Sequence, residues 1–314
     1  MADWGKLSAS LFVMVAAVAV VSHAEDPAIT NIKIGDLASL SINSESQVTV
    51  LLLVMGPTGQ EGSFNISQMI NVTCPVPGDQ QVDDATESPV KTSGFRNCQE
   101  MQTSGYNVSG TYTIHPYVCC PNISVSVYCD FQSDGGGWTV IQRRDQYPQQ
   151  EDFFLPWKDY VTGFGKVTQE FWLGLEHIHA LTSQEPYEVR FDLEDFDGVT
   201  GWAKYDHFEV SGKDLHYRLN LGEYSGDVGN GMKYHNGMSF STKDRDNDNS
   251  TENCAVQWKG GWWYNSCQHV SLNGPYVGPE RSPGAEAILW FPWRFFSVLK
   301  KTEIKVRPVA RQLH

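Results

Sequence analysis

Apolar and polar side chains alternate without a break along residues 187–193, with Tyr187, Val189, Phe191 and Leu193 facing one way and Glu188, Arg190 and Asp192 the other. Successive side chains of an extended chain point to opposite faces, so a period of two predicts a strand with one buried face. The runs at 137–142 and 303–307 are short and rich in β-branched residues, and they read as further strands. At 170–181 the spacing changes. Phe171, Leu175, Ile178 and Leu181 recur every three or four positions, which predicts a helix across that span. Long stretches rich in Gly, Asn and Asp, above all 225–253, separate these elements. From Phe95 onward the chain therefore reads as one globular unit of the α+β class with large loops.

Upstream the texture differs. Lys6 precedes an apolar run at 11–21, and Ser22 and Ala24 put small residues where a leader is cut, so 1–24 reads as a secretory signal peptide cleaved near Ala24. Eleven apolar residues are too few to span a bilayer, and the shorter run at 48–55 reads as a strand or packing segment. Residues 25–90 hold one cysteine, no tryptophan and Pro-rich stretches, together with two Gly-x-y triplets and the start of a third at 56–62. A collagen helix needs many triplets, so this segment reads as a linker or oligomerisation stretch with a collagen vestige. The globular domain is assigned to 91–310.

Composition narrows the function. Of 314 residues, 40% are hydrophobic and 12% aromatic, which is ample for a core and excludes a disordered chain. The balance of 37 acidic against 23 basic side chains gives a net charge of −14, and no Lys/Arg cluster offers a phosphate groove, which argues against nucleic-acid binding. Sequons at Asn65, Asn71, Asn107, Asn122 and Asn249 agree with a secreted, extracellular glycoprotein without a membrane span. Its cysteines then read as disulfide partners in an oxidising compartment.

Two constellations carry chemistry. In the run DRDNDNSTENC (244–254) oxygen-bearing side chains fall at alternate positions, as a hard cation such as Ca2+ requires of a looped backbone. The EF-hand pattern is absent: Asn249 stands where Gly is needed and Ala255 where Glu is needed. A solvated acidic loop is the other reading, and spacing alone leaves both open. The run WKGGWWYNSC (258–267) packs four aromatics beside two glycines, fit for a core or for a ligand platform. Enzyme signals are poor. His177 and His179 fall on different faces of a helix with no third ligand, the glycines at 135–137 lack the Lys-Ser/Thr of a phosphate loop, and no G-x-S-x-G occurs.

The order of short motifs is more specific than any one of them. NC (97–98), VYCD (127–130), GGGWTVIQRR (135–144), WKDY (157–160), EFWLG (170–174), YSG (224–226), YHNGM (234–238), FST (240–242), WWY (262–264) and LNG (272–274) together resemble the fibrinogen C-terminal globular domain from about Phe95 to Pro308. Within that family the chain is most similar to ficolins and the ficolin-like lectins of tachylectin and ixoderin type. The resemblance implies a central antiparallel sheet with flanking helices and a loop-rich C-terminal lobe holding calcium and ligand. It implies disulfides Cys98–Cys129 and Cys254–Cys267, the latter closing a loop of about 14 residues and contributing roughly 3 kcal/mol. Calcium carboxylates fall on Asp246 and Asp248, with backbone carbonyls from Ser250 and Glu252.

The same resemblance places an acetyl-binding pocket beside the metal, at Trp258, Tyr264, Ser266, Cys267, Gln268 and Phe296, with a cis peptide at Ser266–Cys267. Several positions depart from the family pattern: Trp258 replaces a usual Tyr, Gln268 a frequent His and Phe296 a common Tyr, Val270 stands where Gly, Ser or Ala is usual, and a residue is inserted before Leu299. The expected protein is a non-catalytic, calcium-dependent lectin for N-acetylated sugars or other acetylated glycans on microbial surfaces, acting in innate immunity. A protein-binding ligand or modulator of angiopoietin-like or haemostatic kind is the alternative. Cys74, Cys119 and Cys120 remain. Adjacent cysteines rarely pair, so one is assigned to Cys74 and the other is left free or available to link homo-oligomers.

Overall fold

The computed structural model describes residues 14–20, 49–57, 64–73, 94–118, 120, 122–280, 286–293 and 297–309. They belong to two compact units, Met1–Val90 and Lys91–His314. In the first unit the strands Met14–Val20 (β1), Thr49–Pro57 (β2) and Phe64–Thr73 (β3) form an antiparallel sheet in the order β1-β2-β3. The apolar run read as a leader thus contributes β1, and the run at 48–55 forms most of β2. The cleavage point at Ala24, the later Gly-x-y triplet residues 58–62 and Cys74 lie outside the described residues.

The second unit begins with a helix, Cys98–Thr103 (α1), and the strands Gly110–Ile114 (β4), Val125–Asp130 (β5) and Trp138–Arg144 (β6). There follow Trp157–Thr162 (α2), Phe164–Gly165 (β7), Phe171–Trp172 (β8), Leu175–Thr182 (α3), Tyr187–Asp195 (β9), Thr200–Tyr205 (β10), Phe208–Val210 (β11), Leu219–Leu221 (β12) and Tyr224–Gly226 (β13). The C-terminal lobe adds Cys254–Trp258 (α4), Val270–Ser271 (β14) and Leu289–Trp290 (β15), and Leu299–Pro308 (β16) returns to the sheet. The central sheet runs β13-β10-β9-β16-β6-β5-β4, with β8 attached to β6 and β7 to β8, and every pairing is antiparallel. The class is α+β.

Strand β9 keeps the alternation of its sequence, burying Tyr187, Val189, Phe191 and Leu193. Strand β16 spans ten residues, longer than 303–307, because it lies mid-sheet with β9 on one side and β6 on the other. The helix expected across 170–181 is shorter. It starts at Leu175, while Phe171 and Trp172 pair with Arg143 and Gln142 of β6. Between the two elements Gly174 turns the chain at φ 109°, a conformation that ordinary side chains avoid. His177 and His179 do not converge: His177 Nδ1 meets the Tyr117 hydroxyl at 2.6 Å and His179 Nδ1 meets the Val210 carbonyl at 2.7 Å.

The sheet also supports the C-terminal lobe directly. Arg144, fully buried, pairs with Glu170 at 2.8 Å and donates to the carbonyls of Leu272 and Gly274 at 3.3 and 2.8 Å. Gln142 Nε2 donates to the same Leu272 carbonyl at 2.9 Å. Beneath the lobe Trp172, Trp262 and Trp263 are buried together with Phe240, their rings meeting edge-on or tilted. The lobe's loops therefore stand on a rigid floor.

Candidate functional site

The acidic loop is shaped by turns that begin at its base. Thr242 and Arg245 exchange backbone hydrogen bonds of 2.9 and 3.1 Å. Asn247 is pinned inward, its N–H donating to Ser241 Oγ at 2.9 Å and its Nδ2 to the Phe240 carbonyl at 2.7 Å. With Asn247 held, its neighbours Asp246 and Asp248 share one side: the Asp248 N–H donates to Asp246 Oδ1 at 3.2 Å. Asp248 Oδ1 accepts from the Ser250 N–H at 2.8 Å and Oδ2 from the Cys254 N–H at 2.9 Å. Asp244 turns away from this pair. Its Oδ1 accepts from the first N–H of α2, at Trp157, and from Thr242 Oγ1, both at 2.7 Å, so it serves as a brace.

Electrostatics distinguish Asp248 from an ordinary surface carboxylate. Burial pushes its carboxyl up and the adjacent Asp246 charge adds to that, outweighing the hydrogen bonds from Cys254 and Ser250. Two carboxylates held together without a cation repel, and an oxygen-seeking cation relieves that repulsion. Among the described residues no group of three or more His, Cys, Asp or Glu side chains is placed to hold a metal ion. Further ligands would have to be main-chain oxygens or water. The carbonyls of Ser250 and Glu252 accept no backbone hydrogen bond among the described residues. The residues present fit a hard cation such as calcium.

Immediately downstream, Asn253 caps α4 through Oδ1, which accepts from the Val256 N–H at 3.0 Å. That cap sets Cys254 at the start of the helix and Trp258 at its end, and a disulfide joins Cys254 to Cys267 across 13 positions. The other bridge, Cys98–Cys129, ties α1 to β5. Trp258 is half-buried, and its indole N–H, shielded from solvent, has no partner. Gln268 is half-buried, with both amide atoms shielded and unpartnered. Ser266 is exposed, and the Ser266–Cys267 peptide is cis. Tyr264 is different from its neighbours: it is fully buried and its hydroxyl donates to the Gly260 carbonyl at 2.9 Å, so it belongs to the floor under the loop. Phe296 lies outside the described residues.

Sequence reasoning missed His235, which was visible only as part of the YHNGM motif. It is fully buried, its Nδ1 lies 2.7 Å from the Trp263 carbonyl, and its Nε2 lies 3.2 and 3.0 Å from the backbone N–H groups of His269 and Val270. Those partners require a neutral ring with the proton on Nδ1, and burial lowers its pKa to about 4. One imidazole thereby fastens both ends of the 263–270 loop. Tyr234 beside it stacks on His269 at 4.1 Å and donates to the Ser266 carbonyl at 3.0 Å.

Asn107, Asn122 and Asn249 are exposed, Asn65 and Asn71 lie in β3, and Cys120 takes part in a disulfide, while Cys119 is outside the described residues. A groove of about 720 Å³ elsewhere, lined by Phe95, Arg96, Glu100, Glu185 and Val309 among others, shares no residue with the site. No helix among the described residues is long and apolar enough to cross a membrane.

Residues 94–309 match the family model for the fibrinogen beta and gamma chains, C-terminal globular domain. Techylectin-5A from Tachypleus tridentatus is 43% identical over 223 residues, covering 70% of this chain and 76% of that protein. Human angiopoietin-related protein 7 is 40% identical over 226 residues, 71% of this chain and 64% of its own, and mouse fibrinogen C domain-containing protein 1 is 43% identical but matched over only 47% of its length. Among solved structures, the fibrinogen-like globe domain of human ANGPTL6 superposes with a TM-score of 0.65 at 39% identity, covering 72% of this chain and all of that one. Lamprey fibrin D-dimer, complexed with the peptide Gly-His-Arg-Pro-amide, gives a TM-score of 0.64 at 34% identity, covering 75% of this chain and 80% of that one.

Proposed function

The chain belongs to the fibrinogen C-terminal domain family, and on that premise we propose that it is a secreted, non-catalytic, calcium-dependent lectin recognising acetylated carbohydrates on microbial surfaces. The observation that carries this reading is the set of unpartnered, shielded polar atoms at Trp258 and Gln268, held by the Cys254–Cys267 bridge beside the paired carboxylates. A buried donor or acceptor left unpaired costs about 1–3 kcal/mol, so a ligand that pairs it gains affinity and specificity. An acetamido group offers one acceptor, one donor and a methyl, which suits an indole wall next to a carboxamide. Replacement of His by Gln at 268 substitutes a neutral amide for an imidazole, giving a pocket that retains hydrogen bonding without a titrating ring.

Asp246 and Asp248, with the carbonyls of Ser250 and Glu252, would hold calcium, which supplies positive charge that fixes the loop. Asp248 accepting from the Cys254 N–H transmits that order to α4 and the bridge. The domain proposal is a leader at 1–24, a linker or oligomerisation segment at 25–90 and the lectin domain at 91–310. The relative with lectin in its name supports the reading. Retention on N-acetylglucosamine or N-acetylgalactosamine resin, with release by EDTA, is the expected behaviour. Retention that survives EDTA, or no binding to any acetylated ligand or microbial surface, would overturn it.

A protein-binding role is the second reading, favoured by the angiopoietin-related matches and by the peptide-bound lamprey fibrin structure. It predicts saturable binding to a protein or peptide partner that free acetylated sugars do not displace.

A further inference from the structure

We propose that Asn249 is a positioning residue that clasps the metal-ligating loop onto the ligand loop, and that the sequon it heads stays unglycosylated in the folded, secreted protein. The proposal rests on the lectin reading for its functional consequence, but its structural half stands alone. Asn249 follows Asp248 directly, and Asn265 directly precedes Ser266. The Asn249 N–H donates to the Asn265 carbonyl at 3.0 Å, and Asn249 Nδ2 donates to Asn265 Oδ1 at 3.0 Å and lies 3.2 Å from Met238 Sδ. Asn265 cannot turn its amide around without loss, because its own Nδ2 donates to the Tyr234 carbonyl at 3.2 Å. Its N–H donates in turn to the Cys267 carbonyl at 2.8 Å. The clasp therefore joins the second metal carboxylate to the turn that carries Ser266 and Cys267, by a route independent of the Cys254–Cys267 bridge.

Glycan attachment at this sequon would use the same nitrogen. Transfer from a lipid-linked oligosaccharide forms a bond between Nδ2 and the sugar C1, displaces one amide proton and releases the lipid diphosphate. Both Nδ2 hydrogens are engaged inward, one by Asn265 and one by Met238, although the residue as a whole is exposed. A sugar would replace one of these contacts and force the loop away from Asn265. Asn107 and Asn122, also exposed, have no side-chain hydrogen bond among the described residues.

Two substitutions separate the clasp from the sequon. Thr251→Ala destroys the sequon and keeps Asn249, whereas Asn249→Ala removes both, and Asn249→Asp replaces the donor with an acceptor facing Asn265 Oδ1. In the full-length protein in EDTA, without sugar, amide exchange across 262–270 is expected to quicken about tenfold in both Asn249 variants and to match wild type in Thr251→Ala. Calcium affinity, measured by titration calorimetry, falls by a similar factor in the Asn249 variants alone. Glycopeptide mass spectrometry of the secreted wild type finds Asn249 unmodified. Wild-type exchange in the Asn249 variants overturns the clasp, and a glycan on a substantial fraction of Asn249 overturns the second half. A protein that passes the exchange and glycopeptide tests but fails on every acetylated resin would refute the lectin reading and leave the clasp standing.

Discussion

At Asp248 two effects of opposite sign meet: the backbone N–H groups of Ser250 and Cys254 donate to its carboxylate, yet burial and the Asp246 charge raise its pKa. Because the folded value lies above the ordinary 3.8, the folded state holds a proton that the unfolded state has already released. Without a cation, stability falls as pH rises through that window and then stays lower. Asp246→Asn removes the repelling charge. Its melting temperature in EDTA is expected to equal or exceed that of wild type, while the rise on adding calcium disappears; calorimetry with and without calcium reads both. At His235 the sign is reversed in origin. Its folded pKa of about 4 lies below the ordinary 6.5, so the contribution is complete above 6.5 and is lost as pH falls toward 4. The ring is fully buried and the shift is worth roughly 3 kcal/mol. Guanidinium denaturation midpoints at pH 7, 5.5 and 4.5 should fall in that order, and a flat profile would contradict a neutral His235.

Elements were legible where one periodicity had one cause. Strand β9 alternates because one face is buried and the other is charged, and the structure keeps that register. The span 170–181 misled because Phe171 shares the helical spacing by coincidence: its ring is buried through pairing with β6, and Gly174 separates it from α3. A Cβ at Gly174 would sit 2.8 Å from the Thr162 carbonyl carbon. Gly174→Ala should therefore destabilise the fold by more than about 1 kcal/mol, read from the urea midpoint. The C-terminal lobe has few hydrogen-bonded elements of its own, so the Cys254–Cys267 link matters more there. The double variant Cys254→Ala/Cys267→Ala is expected to lose about 3 kcal/mol by the chain-entropy estimate. Calcium affinity should fall with it, because the Asp248 carboxylate is tied to the Cys254 N–H.

For the whole molecule, the net charge of −14 and the ten tryptophans have separate fates. Many charges lie in surface pairs of small individual worth, whereas Lys305, 1% exposed, sits among Asp130, Asp192 and Glu303 within the sheet. Trp138, Trp172, Trp262, Trp263 and Trp290 are core, and Trp258 stands half-buried with its indole N–H shielded and unpartnered. A single shallow sugar site binds weakly, so disulfide-linked copies would raise avidity. Electrophoresis of the secreted protein should show a larger species without reductant than with it, and equal migration would count against linked oligomers. By itself the sequence determined the family, the α+β class, the disulfide partners implied by that family and the acidic and aromatic runs, since each is a local pattern that the ordered motifs place along one chain. Only the tertiary structure decided that Asp244 braces α2 instead of joining Asp246 and Asp248, that Tyr264 is fully buried while Trp258 is half-buried, and that His235 and Asn249 hydrogen-bond to neighbouring loops. These roles depend on contacts between residues 16 to 87 positions apart, or on which way a side chain turns within a loop. Periodicity carries no record of either.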